Sequence, residues 1–199
     1  MLPHKPMCAL SEIALQLPLQ ETEVRQLRLG QSVRLSGILH TARDAAHKYL
    51  AGCNPQLPSA LKLTDGVLYH CGPVMVQDST TKEWKVTAAG PTTSAREEPY
   101  MAEVIRRYKI RAIIGKGGMG PKTLTALREC GCVYLSAVGG AAQVLAAAVK
   151  RVNQVYFLEQ FGSPEAIWEL LVENFPAIVT MDSHGGNLHA DILAASRPW

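Results

Sequence analysis

The stretch AREEPYMAEVIRRYKIRAIIGKGGMGPKTLTALRECGCVYL, residues 95–135, reads as two helix–strand units in tandem. A helix over 95–108 leads into an apolar strand at Ile110–Ile114. A second helix over 121–130, opened by Pro121, leads into Val133–Leu135. The rhythm continues downstream, where helix 140–150 leads to strand Val155–Leu158 and helix 164–172 leads to strand Ala177–Met181. Strands alternating with helices of about ten residues predict an α/β layer packing. The first half is richer in strands. Ile13–Leu17 is a short strand closed by Pro18, and Val33, Leu35 and Ile38 lie on another, with a bulge at Gly37. Val67–His70, Val74–Val76 and Trp84–Ala88 complete the set. A helix is predicted over Glu21–Leu29, ended by Gly30, and another runs from an N-cap at Thr41 to Leu50. Residues 1–11 read as a loose arm, and residues 12–199 as one domain without internal repeats.

Bulk properties narrow the function classes. The 199 residues are enough for one well-cored domain. Apolar residues make up 47% and charged residues 19%, a balance that favours folding over disorder. A formal charge of +3 without a basic run, together with 6% aromatics, gives no footprint for nucleic acid. No apolar run approaches the roughly 18 residues of a membrane span. The N-terminal MLPHKPMCAL lacks the charged-then-apolar order of a signal peptide. Five cysteines, Cys8, Cys53, Cys71, Cys130 and Cys132, form no disulfide framework, and Cys130-x-Cys132 has no further ligands at metal spacing. Structural thiols in a cytoplasmic protein are expected, with no metal held by this chain.

Three loops share one design, a strand end rich in glycine or hydroxyls that opens a helix: GPTTSAR (90–96), GKGGMGP (115–121) and VGGAA (138–142). Helix N-termini carry unpaired N–H groups and partial positive charge, so such loops attract anions. In the first, Ser94 with Glu97 spells a capping box. Arg96 projects from the first turn with a fork suited to a carboxylate, and Thr92 and Thr93 offer hydroxyls just before it. In the second, Lys116 sits between Gly115 and Gly117. A lysine buried there needs an anionic partner, whereas a tight turn with a solvated lysine is the plainer reading. The lysine precedes most of the glycines, so this is not a P-loop. A G-x-G-x-x-G match by letter lacks the acidic residue that dinucleotide binding needs. Arg43 and Asp44 open the helix after strand 33–39, either as a second carboxylate clamp or as a surface ion pair. His47 reads as a packed helix histidine. His40, His70, His184 and His189 are scattered without metal spacing, and Asp182 and His184 read as turn residues.

Taken together, GPTTSAR, GKGGMG, the 20-residue step from Arg96 to Lys116, ARDAAH (42–47), YHCGP (69–73) and FPAIVTMDSHGGN (175–187) resemble one family. It is the β subunit of two-subunit class I fumarase and L(+)-tartrate dehydratase, equivalent to the C-terminal domain of single-chain class I fumarases. The resemblance covers about residues 12–190. It implies a single three-layer, swivelling β/β/α domain. The implied reaction is reversible loss of water from a C4 2-hydroxy dicarboxylate, malate to fumarate in the tricarboxylic acid cycle or tartrate to oxaloacetate. It implies a [4Fe–4S] cluster held by an α subunit, not by this chain. It places Arg43, Arg96 and Lys116 on substrate carboxylates and makes the Thr92 hydroxyl the base at C3. Thr93, Gly115 and Gly117 would line the substrate. A homodimer of the isolated chain, or two α with two β subunits, are the assemblies expected. The loops read GPTTSAR and KGGMG, closer to tartrate dehydratase and two-subunit members than to single-chain fumarases, so both substrates stay open. A carboxylate-binding module without chemistry is the remaining reading.

Overall fold

The computed structural model describes residues 12–196. The arm assigned to residues 1–11, with Cys8, lies outside the described residues. The first half contains β1 (Ile13–Gln16), α1 (Glu21–Val24), β2 (Ser32–Thr41), α2 (Asp44–Leu50), β3 (Val67–Tyr69), β4 (Val74–Gln77) and β5 (Trp84–Ala88). A 3-10 turn, Ser94–Arg96, then leads into α3 (Glu98–Tyr108), β6 (Ala112–Gly115), α4 (Pro121–Cys130) and β7 (Val133–Ser136). The chain ends with α5 (Ala142–Ala147), β8 (Val149–Tyr156), α6 (Leu158–Phe161), β9 (Ile167–Met181) and α7 (Leu188–Ala195). The expected α/β class is borne out.

Strands β2, β3, β6 and β7 run parallel in that spatial order. Strand β9 runs antiparallel and pairs with β7 on one edge and β2 on the other, so the five strands close into a ring. β1 joins β2, and β8 joins the first half of β9. Side chains alternate across the parallel strands. Val67, Tyr69, Ala112, Ile114, Val133 and Leu135 pack into the core inside the ring. Leu68, Ile113 and Tyr134 face outward into a second core under α2, α3 and α4. The inner strands β3, β6 and β7 are therefore apolar on both faces, as parallel strands covered by helices are. The hairpin of β4 and β5 stands apart from the ring and docks through Trp84 on Trp168, with ring centroids 5.1 Å apart.

Several expectations are corrected. The helix predicted over 164–172 is the first half of β9. Ile167, Trp168, Leu170 and Val172 are all buried, and β2 and β8 take up the backbone groups on both sides. A short apolar run has no periodicity that separates the two states, and the partners decide. Helix 140–150 shrinks to α5, because Val149 and the residues after it pair with β9. Strand 155–158 becomes the end of β8 and the start of α6. Helix Glu21–Leu29 forms only at Glu21–Val24. Thr41 is not a helix cap. It ends β2, donates its hydroxyl to the Ala166 carbonyl at 3.4 Å and accepts the Trp168 N–H at 3.0 Å. Arg43 takes the N-cap position of α2. The bulge at Gly37 forms as read, with φ +122° and a register shift against β9.

Trp168 is fully buried, donates its indole N–H to the Ser163 carbonyl at 2.9 Å and holds the hairpin to the ring. Trp168→Ala should cost about 3–5 kcal/mol of unfolding free energy, read by urea denaturation. A cost under about 1 kcal/mol would show that the hairpin does not depend on it.

Candidate active site

The carboxyl ends of the parallel strands form one edge, and the suspected residues gather there. Past the end of β2, the Ala42 N–H reaches the Tyr69 carbonyl and Arg43 follows. Past β3, the His70 carbonyl accepts the Thr92 N–H at 2.7 Å. Thr93 bridges Lys116 in parallel register, and the Ser94 N–H donates to the Lys116 carbonyl at 3.0 Å. The GPTTSAR loop is thus laced between the ends of β3 and β6 as a short additional rung. The VGGAA loop closes the third side. Gly90 abuts Ala142, and a side chain on Gly139 would sit 3.8 Å from the Lys116 Cδ. Gly117 has φ +83°, the left-handed region that glycine supplies at no cost, and faces the Thr93 methyl. Arg43, Thr92, Thr93, Arg96, Gly115, Lys116 and Gly117 therefore share one strand edge.

Under this edge lies a buried polar column that sequence reading missed. The Tyr134 hydroxyl donates to Ser94 Oγ at 2.9 Å, and Ser94 Oγ lies 2.8 Å from His70 Nδ1. With its own oxygen taken as acceptor, Ser94 is left to donate to the imidazole. The His70 ring meets His47 edge-on, with centroids 4.8 Å apart, and His47 Nδ1 donates to the Arg43 carbonyl at 2.9 Å. A carbonyl only accepts, so that contact places the His47 proton on Nδ1. Burial pushes His47 down to about 4. Burial, with His47 alongside, pushes His70 well below the ordinary imidazole range. Both rings are neutral at physiological pH, and they link the backbone of Arg43 to the GPTTSAR loop. Gly115 makes the column possible, because a Cβ there would overlap Ser94 Oγ and crowd the Tyr134 hydroxyl at 2.8 Å. The residue types carry no local signal for this, since Ser94, His70 and Tyr134 come from three elements.

The anion-binding logic differs from the helix-start reading. The Ser94–Glu97 capping box does not form. Ser94 is committed to His70 and Tyr134, and α3 opens only at Glu98. The N-terminus of α4 is filled by Glu98. Its carboxylate accepts the N–H groups of Gly120, Lys122 and Thr123 and the Thr123 hydroxyl. Glu165 does the same at α2, accepting the Ala45 N–H at 2.9 Å. The chain's own acids occupy these helix ends, so the attraction for an incoming anion falls to side-chain cations. Arg43 is partly buried over Gly72, with Glu165 at 3.4 Å. Arg96 is exposed and pairs with Asp44. Lys116 is exposed rather than buried and makes no ion pair among the described residues. The solvated-lysine reading therefore describes this state.

Asp182 and His184 do not join the site. The Tyr134–Met181 register puts their turn at the opposite end of β7. Asp182 accepts the N–H groups of His184 and Gly186, and His184 Nε2 bonds the Arg25 carbonyl. They are turn residues, as read. His189 returns to the site side through α7, reaching Thr180 Oγ1 at 3.0 Å and packing on Gly118. Among the described residues, the cysteines do not fit an iron–sulfur cluster. Cys71 and Cys132 are buried with thiols raised by burial, Cys71 to about 12, and Cys53 is exposed elsewhere. No group of three or more His, Cys, Asp or Glu stands in metal-ligand geometry among the described residues.

Gly115→Ala should displace the Ser94 hydroxyl and lower stability by about 1–3 kcal/mol, as overpacking does. The His70 ring resonances should shift with it in NMR spectra, and unchanged resonances would contradict the packing described. Glu98→Ala removes four acceptor contacts from the start of α4 and should cost about 1–2 kcal/mol by chemical denaturation.

The fumarase C-terminus family model matches residues 3–192. A chain from Geobacillus stearothermophilus, provisionally named fumarate hydratase class I, is 52% identical over 184 residues, which are 92% of this chain and 35% of that protein. The chain thus spans about a third of that relative. A Methanocaldococcus jannaschii chain, provisionally named L(+)-tartrate dehydratase subunit beta, is 44% identical across 87% of this chain and 89% of its own length. The L(+)-tartrate dehydratase subunit beta of Escherichia coli K12 is 32% identical across 89% and 86%. Matched across nearly its whole length, this chain belongs to the fumarase C-terminus family.

Proposed function

We propose that the chain is the β subunit of a [4Fe–4S]-dependent hydro-lyase that reversibly dehydrates a C4 2-hydroxy dicarboxylate, malate to fumarate first. The observation that carries this is the convergence of Arg43, Arg96 and Lys116 around Thr92 and Thr93 on one strand edge. Three cations suit a dianion. The exposed ion pair of Arg96 with Asp44 is worth roughly 0–1 kcal/mol, so a substrate carboxylate displaces it at small cost. Lys116 needs no such exchange. A bidentate grip on one carboxylate acidifies the neighbouring C3–H.

The proposed acceptor of that proton is the Thr92 oxygen as its alkoxide, which ends the step as the neutral hydroxyl. The C3–H electron pair forms the double bond as the C2–O bond breaks, and the departing hydroxide becomes water by taking a proton from an acid group that the partner α subunit supplies. A threonine oxygen is a weak base and needs strong positive potential beside it, which the three cations supply. Thr92 is half-buried and anchored through its N–H to His70, whereas Thr93 is exposed and pairs with Lys116. That difference favours Thr92 as base and Thr93, Gly115 and Gly117 as lining. The cluster is assigned to a partner α subunit, because the described cysteines do not fit it. When bound there, it would supply a Lewis acid for the departing hydroxyl. Val138 and Val144, 61% and 64% exposed beside the lysine loop, suit a surface that such a partner covers. A three-layer swivelling domain and a cytoplasmic setting belong to the same proposal. No helix among the described residues is long and apolar enough to cross a membrane.

A tartrate dehydratase β subunit is the second reading, favoured by the two beta-subunit relatives of matching length. The test mixes the chain with its α partner, loads the cluster anaerobically and follows fumarate from L-malate and oxaloacetate from L(+)-tartrate. Turnover of one substrate assigns it. No turnover of any C4 diacid sinks the hydro-lyase reading and leaves a binding module. Arg96→Ala and Lys116→Ala should each lower kcat/KM on the order of 100-fold or more without loss of fold. Full activity in both would remove these residues from the site.

A further inference from the structure

Glu97 follows the Ser94–Arg96 turn and is fully buried, and its carboxyl oxygens meet no cation and no neutral side-chain donor among the described residues. A buried acid without partners is tolerated only when neutral. It stands at the N-cap position of α3, but its side chain makes no capping hydrogen bond and no ion pair. The carboxylate of Asp44, at the start of α2, stands beside it, and that same carboxylate holds Arg96. Arg96, Asp44 and Glu97 thus form a row running from the exposed site edge into the protein.

We propose that Glu97 is a positioning residue for Arg96: its carboxyl group stands behind Asp44 and, by donating its proton to Asp44 in a hydrogen bond, frees Arg96 to grip a substrate carboxylate. The inference rests on the dicarboxylate reading above. In the empty site Asp44 accepts from Arg96. When Arg96 turns to substrate, Asp44 keeps its charge and loses its partner, and the Glu97 O–H is the donor at hand. No proton leaves the pair in this exchange.

The arrangement has a pH signature. Burial, with the Asp44 charge next to it, raises Glu97 to about 8. Below that value Glu97 carries the proton the exchange requires. Above it two carboxylates face one guanidinium, Arg96 is held more firmly, and substrate binding must draw a proton from solvent. The other groups around Glu97 stay constant in this range. Arg96 on its own turn remains charged, and Tyr134 from β7 is held neutral by burial. His47 from α2 and His70 beyond β3, joined through Ser94, are neutral rings pushed below the ordinary imidazole range.

The test has two readouts. In the full-length chain, carbon-13 carboxyl NMR should show Glu97 titrating near 8, and the solvent exchange of the Arg96 guanidinium protons, taken relative to free arginine at the same pH, should slow in step with it. Asp44→Asn should lower the Glu97 midpoint and abolish that step. In the reconstituted enzyme, KM for L-malate should rise above pH 8 by up to about tenfold per pH unit, as uptake of one proton requires. Glu97→Gln, which keeps a donor but cannot titrate, should give a KM that is flat from about pH 7 to 9. A Glu97 midpoint below about 6, or Arg96 exchange without the step, overturns the proposal whatever the activity. A flat wild-type KM overturns it while the hydro-lyase reading stands. If no C4 diacid turns over, both fall together.

Discussion

A parallel sheet has two edges of unpaired N–H and C=O groups, and in this protein one strand takes up both. β9 spans 15 residues, pairs with β2 along one side and with β7 and β8 along the other, and so bends the parallel strands into a closed ring. Closure removes the open edges of the ring strands, and parallel pairing puts the carboxyl ends of β2, β3 and β6 on the same side. The loops that leave those ends are then neighbours whatever their separation in sequence. Arg43 and Lys116, 73 residues apart by their numbers, share an edge because the ring puts them there. Open α/β sheets bind ligands at this carboxyl edge for the same geometric reason, and the ring keeps that property.

The site built on that edge separates two kinds of charge. Backbone N–H groups at the starts of α2 and α4 are satisfied by Glu165 and Glu98, which fixes the helices but withdraws them from ligand binding. Mobile charge remains on long side chains, with Arg96 and Lys116 exposed and Arg43 braced against Gly72. Beneath them, neutral groups do the positioning. Ser94, His70, Tyr134 and His47 form a buried column joined through Ser94 Oγ and the two Nδ1 atoms, with His47 Nε2 and His70 Nε2 left without partners, and Gly115 leaves room for it. Glu97 is the buried acid beside the carboxylate that holds Arg96. A neutral foundation under a cationic surface is an economical way to hold a dianion, because fixed buried charges would carry a large desolvation cost.

The sequence by itself determined the α/β class, helix α4 to the residue and the bulge at Gly37, because these rest on local chemistry. Proline starts a helix and glycine permits a left-handed turn. Motif resemblance named the family. Only the tertiary structure decided that 164–172 is a strand, since its apolar residues suit either state and the free edges of β2 and β8 settle it. The fate of Thr41, Ser94 and Glu97 was equally out of reach. Each looks like a helix cap in sequence, and each instead meets, or is left facing, a group that arrives from a distant element. Local rules read the backbone's preferences, whereas long-range pairing chooses which donor and acceptor finally meet.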